Sequence, residues 1–121
     1  MRGFGDLEAV IMDRLWSRDG SATVRDVLED IARDRKIAYT TVMTVMDNLH
    51  RKGWLVREMD GRAFRYTPTR SRQEYGAALM REALAESRDT GATLVHFLDG
   101  MTEKDSEALR RALRRRRRAG S

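Results

Sequence analysis

Residues 39–53 read YTTVMTVMDNLHRKG, and this stretch decides the fold. Its apolar side chains recur at i, i+3, i+4 and i+7, the spacing of one face of an α-helix packed against a core. The sequence predicts a helix over residues 40–52, with Thr40 as its N-cap and Gly53 as the glycine that ends it. The positions expected to face the core are Val42, Val45, Met46 and Leu49.

The segment before this helix predicts two further amphipathic helices. Residues 6–17 carry apolar side chains on one helical face, and Asp6 is expected to be the N-cap. The next helix begins at Thr23, where Asp26 completes a pattern that resembles a capping box, and it ends near residues 33–36. A tight loop therefore separates the second helix from the third.

The hydrophobic period changes after the third helix. Residues 54–59 and 62–67 are rich in aromatic and β-branched side chains, which favour strands. Asp60-Gly61 lies between them and is typical of a two-residue hairpin turn. Pro68 ends the second strand, because proline cannot donate a ladder hydrogen bond. The sequence predicts a β-hairpin here.

The remainder of the chain predicts helices only. A capping box of Ser71 and Glu74 opens a helix over residues 71–87. A short apolar helix is expected over residues 92–98, and Thr102 is expected to cap a last helix.

The predicted fold class is mainly α with a small β-hairpin. Three helices followed by a hairpin is the order of a winged helix-turn-helix, which we expect over residues 1–70. Residues 71–113 are expected to form a helical dimerisation domain, and residues 114–121 a disordered basic tail.

The side chains opposite the core face of the third helix can contact duplex DNA. Threonine hydroxyls bond to base edges or phosphates, a methionine or threonine methyl touches a thymine methyl, and cations meet phosphates. Helix N-terminal amides add a further phosphate contact. Arg62, at the hairpin tip, is expected to reach the neighbouring backbone. The candidate DNA-binding residues are Thr40, Thr41, Met43, Thr44, Asn48, Arg51, Lys52 and Arg62.

Charge and composition narrow the classes of function. Residues 35–70 hold eight basic and three acidic side chains, a net charge of +5 that coincides with the third helix and hairpin. The chain has no cysteine, two histidines and no apolar run long enough to span a membrane, so we expect no metal, no cofactor and no membrane insertion. Without a phosphate loop or a nucleophile motif, we expect no enzyme. The first residues lack the apolar core of a signal peptide, and we expect a cytoplasmic protein.

Three stretches resemble the BlaI/MecI (penicillinase repressor) family: residues 39–44 (YTTVMT), 49–53 (LHRKG) and 61–68 (GRAFRYTP). The resemblance extends to about Leu113. It implies a homodimeric winged-helix repressor of β-lactam-resistance or related operons, whose palindromic double-stranded operators are built on TACA/TGTA. Asn48 stands where the family often has arginine, and the absence of cysteine separates this chain from copper-responsive relatives.

The resemblance also implies a route of release from DNA, with a membrane-bound sensor protease as partner. Responsive members are cut at an Asn-Phe bond in the short fifth helix. The matching bond here is His96-Phe97, in which histidine replaces asparagine.

Dimerisation is expected on physical grounds as well. Three short helices within residues 71–113 cannot bury their apolar faces alone, so we expect these faces to pack across a two-fold axis. The candidate residues are Tyr75, Leu79, Leu94, Phe97, Leu98, Leu109 and Leu113.

The sequence leaves one alternative function open. Three helices and a hairpin also make protein-docking modules that bind no specific DNA. A chain that binds DNA should be retained on heparin or duplex DNA and elute with salt.

Overall fold

The structure is a computed structural model that describes residues 3–120. Met1, Arg2 and Ser121, the outermost residues of the predicted domain and tail, lie outside the described part. Six helices and one antiparallel hairpin occur within it, which confirms the predicted fold class. In chain order they are α1 (Asp6–Trp16), α2 (Val24–Ala32), α3 (Tyr39–Arg51), β1 (Leu55–Asp60), β2 (Ala63–Pro68), α4 (Arg72–Glu86), α5 (Thr90–Asp99) and α6 (Glu103–Ala119).

The chain divides into two compact units, Met1–Met80 and Arg81–Ser121. The first unit therefore extends ten residues beyond the boundary predicted at residue 70. Its core is formed by α1, α2, α3 and the hairpin, and Val42, Met46 and Leu49 of α3 are fully buried in it. Val45 is only partly buried against this core.

A short bridge joins the loop before α2 to the hairpin. The Ala22 N–H donates to the Tyr66 carbonyl at 3.0 Å, and the Tyr66 N–H donates to the Ala22 carbonyl at 2.8 Å. Both residues are buried. This bridge holds β2 against the helices and places the hairpin beside α3.

Capping chemistry fixes where the helices begin. The boxes Thr23/Asp26 and Ser71/Glu74 both form with reciprocal hydrogen bonds, as predicted. The expected caps Asp6 and Thr40 are wrong. α1 is capped at Gly5, whose N–H donates to the Glu8 carboxylate at 3.1 Å, and α3 begins after Ala38.

Gly53 ends α3 as expected and turns the chain towards β1. Its φ is +87°, a left-handed conformation that costs glycine little. The Gly53 N–H donates to the His50 carbonyl and the Trp54 N–H to the Leu49 carbonyl, at 3.0 and 2.9 Å. These two bonds form a Schellman motif, which satisfies the last carbonyls of the helix.

The turn of the hairpin lies one residue later than predicted. Asp60 pairs with Ala63, so the two-residue turn is Gly61-Arg62 and not Asp60-Gly61. Gly61 has a φ of +66°, whereas Arg62 does not have a positive φ. A positive φ at the first turn position alone is the pattern of a type II′ turn, which suits the twist of the two strands.

An aromatic cluster joins the start of the chain to α4. Phe4 stacks on Tyr75 with ring centroids 4.1 Å apart, and the Phe4 N–H donates to the Tyr75 hydroxyl at 2.7 Å. Trp54 meets both rings edge-on, and Trp16 lies 5.7 Å from Tyr75. The first turns of α4 are therefore packed against the winged-helix unit.

In the second unit, α5 and α6 expose most of their apolar side chains in the single chain. α5 begins at Thr90, two residues before the helix expected over residues 92–98, because the Asp89 carboxylate accepts the Ala92 N–H as an N-cap. Thr102 caps α6 as predicted, but the helix continues to Ala119, so the disordered tail predicted from residue 114 is wrong for residues 114–119. Arginine has a high helix propensity, and cations are favourable near a helix C-terminus.

Candidate nucleic-acid interface

One face of α3 is open to solvent along its whole length. The buried positions of the helix occupy the opposite side, so the exposed positions follow from the same 3.6-residue period. Met43, a large apolar side chain, is 42% exposed on this side of the helix. Seven exposed residues of α3 and its C-cap, called here the α3 face, lie on this side: Thr40, Thr41, Met43, Thr44, Asn48, Arg51 and Lys52.

The N-terminal end of α3 has no side-chain cap. The Thr41 N–H is used within the helix, since it donates to the Ala38 carbonyl at 3.1 Å. Thr40 is the second helical residue, and its exposed side chain lies on the α3 face. This end of the helix carries the positive pole of the helix dipole and can accept an anion.

Asp47 lies at the centre of the α3 face, and the sequence-based interpretation assigned it no role. Its carboxylate accepts hydrogen bonds from Arg51, one helical turn later, and from Arg57 of β1 at 3.1 Å. The hydrogen bond from Arg51 and the nearby guanidinium charges hold the pKa of Asp47 below its usual value. Two of the cations in this region are therefore partly neutralised in the free protein.

Lys52, predicted to contact a phosphate, is paired with an acid. Its ammonium group lies 2.7 Å from the carboxylate of Glu8 on α1. Burial raises the pKa of Glu8, but hydrogen bonds from Lys52 and the Gly5 N–H outweigh burial, and the net shift is downward. Lys52 must exchange Glu8 for a phosphate if it contacts DNA.

The hairpin places cations beside the α3 face. Arg57 lies 4.2 Å from the ring centroid of Phe64, and its guanidinium bridges β1 to Asp47 on α3. Arg62, in the turn, is exposed and has no ion-pair partner among residues 3–120. Arg65 is held by Asp60 at 2.8 Å. Arg62 is therefore the hairpin cation left free for a phosphate.

A groove separates α3 from the hairpin. Its volume is about 270 Å³. Met43, Thr44, Asp47 and Arg51 line it from the helix, and Arg57 and Tyr66 from the strands. Apolar, hydroxyl and charged groups of the α3 face thus converge on one concave surface.

Cations in the loop between α2 and α3 were not among the predicted site residues. Arg33, Arg35 and Lys36 are all exposed just before α3 begins. Arg25 of α2 stacks over the exposed ring of Tyr39, 5.7 Å from its centroid. The net charge of residues 35–70 already pointed to part of this group.

The predicted dimerisation residues divide between the two units. Tyr75 lies in the aromatic cluster of its own chain, so most of its ring is already in contact there. In the second unit, α5 exposes an apolar face, and no described residue of α5 is buried. Its large apolar side chains, together with that of Leu113 on α6, are 42% to 57% exposed: Leu94, Val95, Phe97, Leu98 and Leu113.

The candidate cleavage bond lies inside a helix. His96 and Phe97 are in the second half of α5, which runs from Thr90 to Asp99. A protease binds an extended backbone, so α5 must open locally before this bond can be cut.

We expect Asp47→Ala to strengthen binding to duplexes of random sequence. The change removes a negative charge from the α3 face and frees Arg51 and Arg57 for phosphates. The plot of log K against log salt should steepen by about 0.9 for each additional phosphate that the protein neutralises. Fluorescence anisotropy over a salt series measures this slope.

The matched control for this change is Asp13→Ala, because Asp13 also pairs with an arginine, Arg72, but does so away from the α3 face and from the cationic loop before α3. If both variants changed the slope equally, net charge would explain the effect and the position of Asp47 would not.

None of the helices in residues 3–120 is long and apolar enough to cross a membrane. Within the same residues, no group of three histidine, cysteine or acidic side chains is arranged to hold a metal ion.

Comparisons with known proteins agree on the family. The family model described as "Penicillinase repressor" matches residues 4–115. Two curated relatives, each named "Transcriptional regulator BlaI", come from Mycobacterium tuberculosis strains CDC 1551 / Oshkosh and ATCC 25618 / H37Rv. Each is 47% identical over 112 residues, which is 90% of this chain and 81% of the relative.

A solved structure is similar to the winged-helix part. It is the solution structure of the DNA-binding domain of the repressor BlaI, with a TM-score of 0.54 and 26% identity. The match covers 60% of this chain and 87% of that domain. A family of repressors agrees with the expectation that the chain is not an enzyme. The length of the family match and the identity to both relatives show that this chain belongs to the penicillinase repressor family.

Proposed function

We propose that this chain is a transcriptional repressor that binds palindromic operator DNA as a homodimer in the cytoplasm. The observation that carries the proposal is the α3 face, an exposed helix surface of hydroxyl, thioether, amide and cationic groups beside a hairpin with a free arginine. An α-helix of this kind fits the major groove of B-DNA. Occupancy of an operator then blocks transcription of a β-lactam-resistance or related operon.

The chemistry of the α3 face supports separate residues for base contacts and for phosphate contacts. Thr41, Met43 and Thr44 are short or flexible side chains suited to base edges and thymine methyls, and the Asn48 amide can bond to adenine. Thr40 lies at the uncapped helix end, where a phosphate is favourable. The cations, Arg51, Lys52 and Arg62, would take phosphates of the flanking backbone.

The apolar face of α5 supports the homodimer. Leu94, Phe97 and Leu98 lie on one side of this helix and remain largely exposed in a single chain. Exposed apolar patches of this kind mark protein interfaces. A second copy provides a matching patch, with Leu109 and Leu113 of α6 at its margin, and places two α3 helices on half-sites about one helical turn apart.

Tyr75 and Leu79 belong to this proposed interface only at its edge. Tyr75 already packs in the aromatic cluster, and Leu79 is partly buried and lies beside Gly3. The main dimer contacts are therefore assigned to α5 and α6.

Release from DNA is proposed to follow from loss of the dimer. A cut at His96-Phe97 by a membrane-bound sensor protease would separate α6 from the rest of the chain. The N-terminal fragment of each protomer would then bind a single half-site by itself, and the affinity that comes from linking two half-sites would be lost. An intact chain recovered from cells in which the operon is fully derepressed would exclude this route.

Base readout by α3 can be tested by substitution. Thr44→Ala and Thr41→Ala should reduce discrimination between operator and random duplex by about 1–3 kcal/mol at the contacted base pair. Lys52→Ala and Arg62→Ala should instead weaken all sequences alike and lower the salt slope by about 0.9 for each phosphate that is no longer neutralised. Titration of both duplexes at several salt concentrations separates the two classes.

An unchanged ratio of operator to random affinity in Thr44→Ala would contradict the proposed readout. Thr69→Ala, a hairpin-end threonine that bonds to the Gly53 carbonyl, is the control for loss of a hydroxyl away from the α3 face. Failure of the intact chain to bind heparin or duplex DNA would favour the protein-docking alternative.

A further inference from the structure

The C-terminal half of α6 carries a dense arginine surface. Residues 108–121 hold seven arginines and no acidic side chain. At 3.6 residues per turn, six of these arginines fall within an arc of roughly 160° around the helix. These six residues, called here the α6 arginine face, are Arg110, Arg111, Arg114, Arg115, Arg117 and Arg118.

Arg110 and Arg114 of this face are paired with acids, whereas Arg115 and Arg118 are not so paired in the described part of the chain. Glu107 lies 2.9 Å from Arg110 and 3.7 Å from Arg114, and the hydrogen bond from Arg110 lowers the pKa of Glu107. No acidic residue follows Glu107 in the sequence. Within residues 3–120, Arg115 and Arg118 have no acidic partner, so their exposed guanidinium groups are open to an external anion.

We propose that the α6 arginine face is a second nucleic-acid contact, which binds the phosphate backbone of duplex DNA without reading its sequence. A guanidinium group can donate two parallel hydrogen bonds to two oxygens of one phosphate, and it keeps its charge at any physiological pH. From Arg111 to Arg118 the helix rises by about 10 Å, the length occupied by about three phosphates of one DNA strand. A row of phosphates thus matches both the charge and the length of this surface.

The composition of α6 favours nucleic acid over a membrane. A helix that lies in a bilayer surface needs bulky apolar residues opposite its cations. The apolar side of α6 has Leu109 and Leu113, but no apolar side chain larger than alanine accompanies the arginines after residue 113. The cationic end therefore lacks an anchor in lipid.

The composition of α6 after residue 113 also argues against a protein partner for these arginines. Protein interfaces depend on a few buried anchors, most often tryptophan, tyrosine or arginine in well-packed pockets. α6 has no aromatic residue, and its last arginines are followed by no bulky apolar residue around which a dry interface could close. A flexible, wet and charged contact is what phosphate binding requires.

This contact is independent of operator recognition, because it is assigned to a different unit of the chain and to no base sequence. Its effect is to add affinity for any duplex and to increase the salt dependence of binding. It therefore extends beyond the proposed function and can succeed or fail separately from it.

The test uses the full chain with Arg111→Gln, Arg115→Gln and Arg118→Gln combined, three members of the α6 arginine face. Glutamine keeps helix propensity close to that of arginine, so α6 should stay folded. Affinity for a random duplex is measured between about 50 and 200 mM salt. The salt slope should become shallower by about 0.9 for each phosphate that is no longer neutralised, up to roughly 2.7 for three, and the ratio of operator to random affinity should not change.

The charge-matched control combines Arg81→Gln, Arg88→Gln and Lys104→Gln, three exposed cations of the same unit. It should leave the slope near that of the unmodified chain, and replacement of the three α6 arginines by lysine should preserve the slope as well. Circular dichroism and light scattering establish that the variants keep their helices and assembly.

Two results would overturn the proposal. The first is an unchanged slope in the α6 variant, or an equal loss in the charge-matched control. The second is loss of binding to vesicles that contain phosphatidylserine without loss of duplex binding, which would assign the surface to a membrane. Thr44→Ala, measured on the same duplexes, reports on operator readout by α3 and separates its failure from failure of the α6 contact.

Discussion

Phe97→Asp is expected to convert the proposed homodimer into a monomer of 14.0 kDa. Phe97 lies on the exposed apolar face of α5, and a carboxylate buried there without a partner would cost several kcal/mol. Loss of the dimer removes the advantage of linking two half-sites, so operator affinity should fall by about 10²–10⁴. Light scattering gives the mass, and operator titration gives the affinity.

His96→Asp is the matched control for this prediction. His96 is on the same helix, but it projects from the side opposite Leu94, Phe97 and Leu98. The control should keep the dimer and its operator affinity. A Phe97→Asp chain that still measured twice the monomer mass would contradict the assignment of α5 to the interface.

Leu49→Ala should destabilise the winged-helix unit by about 2–5 kcal/mol. Leu49 is fully buried in the core, and its carbonyl also accepts the Trp54 N–H in the motif that ends α3. The truncation leaves a cavity under the helix that carries the α3 face. Urea denaturation followed by circular dichroism measures the change in the free energy of unfolding.

Its neighbour Asn48 provides the control. Asn48 is exposed on the α3 face, so Asn48→Ala should change the free energy of unfolding by less than about 0.5 kcal/mol. If Leu49→Ala lowered the free energy of unfolding no more than Asn48→Ala does, the placement of Leu49 in the core would be contradicted.

The exposed and buried sides of α3 could be predicted because both follow from one period in the sequence. Val42, Met46 and Leu49 are buried as their spacing requires, and the remaining positions must then face outward. Local hydrogen-bonding patterns were also sufficient for Thr23, Ser71 and Thr102, whose side chains cap the helices that they precede.

Boundaries that depend on backbone geometry were predicted less well. Threonine is a preferred N-cap residue, but α3 already begins at Tyr39, so Thr40 lies inside the helix. In the hairpin, both Asp60-Gly61 and Gly61-Arg62 are acceptable turn sequences. The structure pairs Asp60 with Ala63 and so adopts the second. Side-chain alternation could not decide between them, because both registers place Leu55 and Tyr66 on the same side of the strands.

Contacts between distant residues could not be predicted from local patterns. Lys52 and Glu8 are 44 residues apart, and nothing in the sequence distinguishes Glu8 from the other acidic residues as the ion-pair partner of Lys52. Asp47 has a nearby partner at i+4, but its bond to Arg57 depends on how the hairpin folds against α3. From local sequence alone, Tyr75 fits an apolar helix face at a dimer interface as well as it fits a contact within its own chain. Its place in the aromatic cluster depends on the position of Phe4.

The aromatic cluster has a consequence for spectroscopy. Both tryptophans of the chain, Trp16 and Trp54, belong to it, and each has an arginine over its ring: Arg72 at 5.8 Å and Arg70 at 5.2 Å. Tryptophan emission therefore reports on the junction between the chain start, the hairpin and α4. Residues 81–121 contain no tryptophan, so a change confined to the second unit alters the helical ellipticity and leaves tryptophan emission unchanged, whereas unfolding of the first unit alters both signals.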